Sequence, residues 1–292
     1  MDNINQTLMD AISSGNSMDE KEFFQIFNAM DEEDEREHLD ALCEAIRSNN
    51  KAIIKLFMKA FKNSDADTDL HDHSEGCDLT VLGCAVAHGD LEIVKILVAG
   101  GCNPNKGDDY GYETPLHDAC RCGEFDILDF FLTEAGGNLY LYDGDRETLL
   151  SIASYYGNLD MVKYLIEKVG YDPHEGVDYR QLKNPLMSAF ESATSEWSSD
   201  DFDNSDVIDY LIEKAKIDIN EQDAFGTTIL MTAVQNDNIE LVKIILSKNP
   251  DINVKDNEDQ TADYYFGGSK NQELLDILND LYVGSPEYLK TP

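Results

Sequence analysis
The side chains able to do chemistry fall into two short clusters. His71, Asp72, His73 and Cys77 share one polar loop, and His117 precedes Cys120-Arg121-Cys122. Zinc needs about four ligands converging as a tetrahedron, usually with CxxC spacing. Cys-x-Cys on a helix sends its two thiols in different directions. His117 could in principle activate Cys120 or Cys122 as a nucleophile. The sequence has no GxxxxGK[ST] phosphate loop and no GxSxG elbow, and its many carboxylate pairs, such as Asp108-Asp109, are what an acidic surface supplies by chance. The expectation is no catalytic residue, no metal site and no cofactor.

Charge is the strongest compositional feature. Fifty-nine Asp and Glu stand against 22 Lys and Arg, a net charge of −37 over 292 residues. The acidic excess is 11 in residues 1–75, 12 in 76–180 and 14 in 181–292, so it is no acidic tail. Such a field repels nucleic acid and anionic membrane and speeds encounter with basic partners; the other reading is solubility alone. The hydrophobic fraction of 42% suffices for a core. No apolar run approaches the ~20 residues of a membrane span, and the N-terminus lacks the pattern of a signal peptide, so a cytoplasmic protein is expected. Of the six cysteines (Cys43, Cys77, Cys84, Cys102, Cys120 and Cys122), four fall in helical apolar patterns, where reduced thiols pack as small hydrophobes.

The elements that would position these residues recur. Thr80, Thr114 and Thr148 are spaced by 34. Each opens an apolar segment and is followed by Ala85, Ala119 or Ala153, by Gly89, Gly123 or Gly157, and then by a second apolar stretch such as Ile93-Val94-Lys95-Ile96-Leu97 or Met161-Val162-Lys163-Tyr164-Leu165. Thr or Asn at a helix start accepts an orphan N–H, and Pro is tolerated next, so Thr114-Pro115 and Asn184-Pro185 read as helix openings. The glycines end the first helix with positive φ. Ala85, Ala119, Ala153, Ala189 and Ala233 let neighbouring helices approach, and the second stretch has the apolar spacing of a helix with one buried stripe. A unit of this kind cannot bury its own face, so stacking makes the core.

Thr114-Pro115-Leu116-His117 and the segments in register with it resemble the ankyrin repeat. Asp223-Ala224-Phe225-Gly226-Thr227-Thr228, followed by Leu241-Val242-Lys243-Ile244-Ile245-Leu246 and Asp251-Ile252-Asn253, is similar to the same pattern. Weaker units lie at the N-terminus around Leu8 and Ala11, near 39–62, from Asn184 to Glu213, and from Thr261 to Leu278. The resemblance covers nearly the whole chain. It implies an all-α ankyrin-repeat solenoid of about eight helix-turn-helix units with β-turn fingers, the end units acting as caps.

The expected organisation is one domain, 1–292. Divergent N-terminal units and a cap occupy 1–75, three well-formed repeats 76–180, and a repeat with an acidic insertion at 193–206 fills 181–222. A well-formed repeat follows at 223–255 and a C-terminal cap at 256–292. Arg146 and Asp259 stand where the family prefers a turn glycine. The insertion holds Trp197, the only tryptophan, which could anchor a partner or fold back over its own helices; Ser198 and Ser199 before Asp200 and Asp201 are a weak phosphorylation signal.

The resemblance also implies where binding occurs: on the fingers and the exposed face of the first helices. The finger set is Asp108, Asp109, Tyr110, Tyr112, Tyr142, Asp143, Asp145, Asp223 and Phe225. The helix set is Ala87, His88, Arg121, Cys122, Tyr155, Tyr156, Gln235 and Asn236. Of these, Tyr110, Tyr112, Arg121, Tyr142, Asp143, Asp145, Tyr155, Tyr156, Asp223 and Phe225 are the candidate partner-binding residues, because Tyr and Arg anchor interfaces and Tyr among carboxylates suits incoming Lys or Arg. The competing reading has the tyrosines covering repeat edges and the acids solvated. The family pattern makes His117 a structural residue at its helix start. Equivalent positions on neighbouring repeats, such as His88 and Cys122, lie about 8–10 Å apart, too far to share a metal easily.

The expected function is a non-enzymatic protein–protein interaction module. It would be monomeric, without nucleic-acid or membrane contact, and would hold a protein with a basic surface as an inhibitor or immunity-type protein. The alternative is an adaptor or secreted effector scaffold in which acidity serves solubility.

Overall fold
The computed structural model describes residues 2–30, 35–63, 79–107, 114–144, 146–173, 184–194, 204–266 and 271–282. Among them the secondary structure is helical, with no strand. The chain divides into two compact units, Met1–Asp145 and Arg146–Pro292.

The first unit is four helical hairpins: α1 (Asp2–Ser13) with α2 (Glu20–Phe27), α3 (Glu35–Arg47) with α4 (Lys51–Asn63), α5 (Val81–His88) with α6 (Leu91–Gly100), and α7 (Pro115–Cys122) with α8 (Phe125–Thr133). First helices pack in the order α1, α3, α5, α7, and second helices in the order α2, α4, α6, α8. The second unit repeats the plan. Its α9 (Leu149–Tyr155) precedes α10 (Leu159–Lys163), which runs on as a π-helical turn through Val169; then come α11 (Pro185–Thr194) with α12 (Ser205–Glu213) and α13 (Ile229–Gln235) with α14 (Ile239–Ser247). A 3-10 turn (Ala262–Phe266) replaces the first helix of the last pair, whose second helix is α15 (Gln272–Leu281). Fifteen α-helices and that turn make eight pairs among the described residues.

Helix starts follow the side chains. Thr80 Oγ1 accepts from Gly83 N at 3.0 Å, Thr148 Oγ1 from Ser151 N at 3.1 Å, and Asn184 Oδ1 from Leu186 N at 2.8 Å, each satisfying a donor that the helix leaves orphaned. The second helices are capped too, by Asp90, Asn158, Asn238 and Asn271. Gly89, Gly123 and Gly157 have φ of 73°, 74° and 63° between the helices of their pairs. Asn49 (53°) and Asp237 (58°) hold the corresponding bend in other repeats, being among the residue types that most readily adopt this conformation. Arg146 and Asp259, where a turn glycine was expected, take the same left-handed backbone at 65° and 63°.

Ala85, Ala119, Ala153, Ala189 and Ala233 are each fully buried, so no side chain keeps neighbouring first helices apart there. Within each unit, asparagines tie a repeat to the next. Asn138 N donates to Asn105 Oδ1 at 2.7 Å, and Asp251 N to Asn220 Oδ1 at 2.7 Å. At the N-terminal end Phe23, Phe27, Phe57 and Phe61 cluster with His38; Phe23 and Phe57 meet edge to face at 5.0 Å, and His38 Nε2 lies 3.1 Å from the Phe27 carbonyl oxygen. This cluster fastens α2 to α3 and α4.

Candidate partner-binding surface
The surface is best built from the finger that opens the α13 repeat. Asp223 Oδ1 accepts from Phe225 N and Thr227 N, both at 2.8 Å, and Asp223 N donates to Thr227 O at 3.1 Å. This Asx-type closure pins the turn and leaves Phe225 at its tip 75% exposed. The following finger repeats the device: Asp256 Oδ1 accepts from Glu258 N and Gln260 N at 2.8 Å. Burial pushes the Asp256 carboxyl up, but hydrogen bonds from Tyr265 Oη at 2.6 Å and from the Gln260 and Glu258 N–H groups outweigh it, leaving the group below the usual carboxylate range. Asn257 N donates to Phe225 O at 3.1 Å, so the two fingers form one ledge.

Behind that ledge, a cleft of about 70 Å³ lies between α11 and α13, lined by Met187, Phe190, Glu191, Asp223, Thr232 and Asn236 among others. It brings Asp223 of the finger set to Asn236 of the helix set. Met187, Phe190, Glu191 and Thr232 were not singled out from the sequence, although aligning Asn184-Pro185 with Thr228-Ile229 places them on first helices. Tyr155, the last residue of α9, is half-buried and Tyr156, its C-cap, is 39% exposed, their rings edge to face at 5.2 Å.

In the first unit the candidates fare differently. Tyr142 is 57% exposed, as a finger residue should be, but its neighbour Asp143 is only 8% exposed and stands in the wall of the turn instead of at its tip. Arg121 is ion-paired with Asp118 one turn back on α7, and the Asp118 side chain is 1% exposed. The guanidinium therefore holds a buried carboxylate, a role the spacing alone did not reveal. Ala87, His88 and Cys122 are exposed on α5 and α7, as are Gln235 at the end of α13 and Asn236 just past it. Asp108, Asp109, Tyr110, Tyr112, Asp145 and Trp197 lie outside the described residues.

His117 and the buried cysteines take structural places. His117 is fully buried and its Nδ1 lies 2.9 Å from Thr114 Oγ1, with Thr114 N also directed to it at 3.4 Å. This is the helix-start role that the family pattern implies. Burial pushes the Cys120 thiol up, and burial first and the neighbouring Cys43 second push Cys102 up to about 12, opposite to what a nucleophile needs. Cys120 is buried and Cys122 exposed, so the two do diverge along α7; Cys43, Cys84 and Cys102 are buried, and Cys43 Sγ lies 3.6 Å from Cys84 Sγ. No group of His, Cys, Asp and Glu among the described residues could hold a metal ion. The His71-Asp72-His73 and Cys77 cluster lies outside them. Among the described residues no helix is long and apolar enough to cross a membrane.

Known proteins resemble this chain in sequence or in fold. Alpha-latrocrustotoxin-Lt1a of Latrodectus tredecimguttatus is 24% identical over 231 residues, 75% of this chain, and the chain spans only 14% of that protein's length. The ankyrin repeat domain of Bcl-3, a member of the IkappaB protein family, superposes with a TM-score of 0.56 at 21% identity, covering 82% of this chain and 97% of that one. A chain of the complex between the predatory endopeptidase Bd0816 of Bdellovibrio bacteriovorus and the immunity protein Bd3460 gives a TM-score of 0.51 at 25% identity, covering 69% and 97%. The family described as ankyrin repeats (3 copies) matches residues 8–108, 42–143 and 197–280, and the single ankyrin repeat matches 145–175. Paired helices, Thr-capped starts, left-handed bends and projecting fingers thus coincide with family matches over most of the sequence: the chain belongs to the ankyrin-repeat family, whose repeats mediate protein–protein interaction.

Proposed function
We propose that the chain binds a protein with a basic surface through its fingers and the exposed sides of its first helices, acting as an inhibitor or immunity-type protein. The observation that carries this reading is the exposure of large aromatics, Tyr142, Tyr156 and Phe225, on a chain of net charge −37. Aromatic rings anchor protein interfaces, and an acidic field draws in cationic partners while repelling nucleic acid and anionic membrane. Tyr155 packs edge to face against Tyr156, and the Asp223 closure holds Phe225 out. Tyr110, Tyr112 and Asp145 belong to the same proposed set by position. Arg121, Asp143 and Asp223 contribute by shaping it, since each is tied into the fold or buried. Likeness to a chain of an endopeptidase–immunity protein complex supports the inhibitor version.

A second reading has support of its own. The chain corresponds to 14% of a much longer toxin, which suits a module that joins proteins, with acidity serving solubility. Affinity capture at ~0.05 and ~0.5 M salt separates the two, because screening removes charge-steered binding. Captured proteins would be identified and their direct binding measured against the wild type, Tyr155→Ala/Tyr156→Ala and Phe225→Ala. A basic protein released by salt and lost in the variants is the expected result. Binding that persists at high salt and ignores both variants would overturn the site and leave the adaptor reading.

A further inference from the structure
One register brings neighbouring first helices into close approach. Cys43 stands two residues before Ala45 on α3, and Cys84 one residue before Ala85 on α5. Gly83 and Asp118 hold the same two places before Ala85 and Ala119 at the next interface, where a side chain on Gly83 would run into the Asp118 carboxylate. Between α3 and α5 the same approach brings two sulfurs together: Cys43 Sγ lies 3.6 Å from Cys84 Sγ.

The two thiols are placed to close on each other. They lie 41 residues apart in the chain, and reaching the ~2.05 Å of a disulfide takes a movement of roughly 1.5 Å, within the range of side-chain torsions. Cys43 is fully buried and Cys84 is 7% exposed, so Cys84 is the one that a water-sized reagent meets first. Arg47 follows Cys43 by one turn of α3, in the place that Arg121 holds beside Asp118. Its charge is held first by the hydrogen bond to Glu44 and also acts on both sulfurs; a nearby cation favours the thiolate form. Cys102 is pushed up to about 12, by burial first and then by Cys43, and stays a thiol.

We propose that Cys43 and Cys84 form a redox-controlled staple, which a peroxide closes into a disulfide pinning α3 to α5 and a dithiol reductant reopens. The Cys84 thiolate attacks one peroxide oxygen; the O–O bond breaks, and the departing hydroxide takes the proton that Cys84 gave up. The Cys43 thiolate then attacks the Cys84 sulfenic acid. The S–S bond forms as the S–O bond breaks, and the second hydroxide takes the Cys43 proton. Two thiols and one peroxide become one disulfide and two waters. In the reverse direction the dithiol leaves as a cyclic disulfide and its two protons pass to Cys43 and Cys84. Closing a 41-residue loop removes freedom from the unfolded chain and so stabilises the first unit.

The test treats the full chain with hydrogen peroxide and alkylates the thiols left free under denaturing conditions. Disulfides are then reduced with dithiothreitol, and the released thiols receive a second label. The expected result is an intact mass about 2 Da lower before reduction, with the second label on Cys43 and Cys84 together. Melting temperature should rise by ~10 °C on oxidation and return with dithiothreitol. Cys84→Ala should abolish the rise and leave Cys43 without the second label, and the wild-type labels decide the pairing even where that variant folds poorly. A second label that misses Cys43 and Cys84, uptake of oxygen in place of the mass loss, or a cross-linked protein that melts no higher than the reduced one would each overturn the proposal.

Discussion
The carboxylate of Asp118 occupies the space that a side chain on Gly83 would need: a Cβ built on Gly83 meets Asp118 Oδ2 at 2.6 Å. The first helix of one repeat is bare at that point so that the first helix of the next can seat a buried acid there. Arg121 closes over the same acid from its own helix. Gly83→Ala should therefore destabilise the first unit by about 1–3 kcal/mol through overpacking. Arg121→Ala, by removing one partner of a buried pair, should cost up to ~3 kcal/mol. Urea unfolding monitored by circular dichroism reads both. A Gly83→Ala variant as stable as wild type would show that the carboxylate moves aside without cost.

Phe225 and Tyr142 should behave in the opposite way. Both rings are mostly in solvent, so Phe225→Ala and Tyr142→Ala should leave the unfolding midpoint within about 0.5 kcal/mol of wild type. Any loss of partner affinity in these variants is then a surface effect. A large fall in stability would mean that the rings cover repeat edges.

Thr148 and Ser151 form a reciprocal cap at the start of α9. Ser151 N donates to Thr148 Oγ1 at 3.1 Å, and Thr148 N to Ser151 Oγ at 2.5 Å. Thr148→Ala should cost about 1–2 kcal/mol and Thr148→Ser much less, since serine retains the oxygen. Denaturant titrations of the two variants side by side check this. Equal losses would assign the effect to the missing methyl group.

Alkaline pH should loosen the second unit. Burial first, and then the hydrogen bond that Tyr210 Oη donates to Glu167 Oε1 at 2.8 Å, push the Tyr210 phenol from 10.0 up to about 12. Because the folded value lies above the unfolded one, the stabilisation is complete below pH 10 and is lost as pH rises through 12. Tyr282, whose Oη donates to the Ile252 carbonyl oxygen at 2.5 Å, is shifted the same way, by burial first and then by Asp263 and Asp251. Urea midpoints followed from pH 9 upward should fall more steeply for wild type than for Tyr210→Phe. Parallel curves would remove Tyr210 from the explanation.

Added salt should stabilise the protein. At a net charge of −37, self-repulsion across the surface should outweigh exposed ion pairs such as Lys51 with Asp90 and Glu92, which salt weakens. Screening over ~10 Å at 0.1 M ionic strength relieves the repulsion. Melting temperature should rise between ~0.02 and ~0.2 M sodium chloride; a fall would mean that the ion pairs dominate.

Local features were legible in the sequence because each depends on a residue and its near neighbours. A threonine caps the helix it precedes, an alanine admits a neighbouring helix wherever the stack brings one, and the family resemblance marks Arg146 and Asp259 as positions where a turn glycine is preferred. Repetition then multiplied weak signals into a family assignment. Which polar groups are buried was decided elsewhere. Arg121 read as an exposed binding residue until the preceding repeat, bare at Gly83, covered the Asp118 carboxylate that it pairs with. Asp143 and Asp223 looked like exposed finger acids until the turns closed, burying the first and engaging one oxygen of the second with backbone N–H groups. Solvent exclusion depends on atoms far apart in the chain, so a repeat pattern names the helices and their caps, while the stacking of one repeat on another determines which carboxylates face water and which face each other.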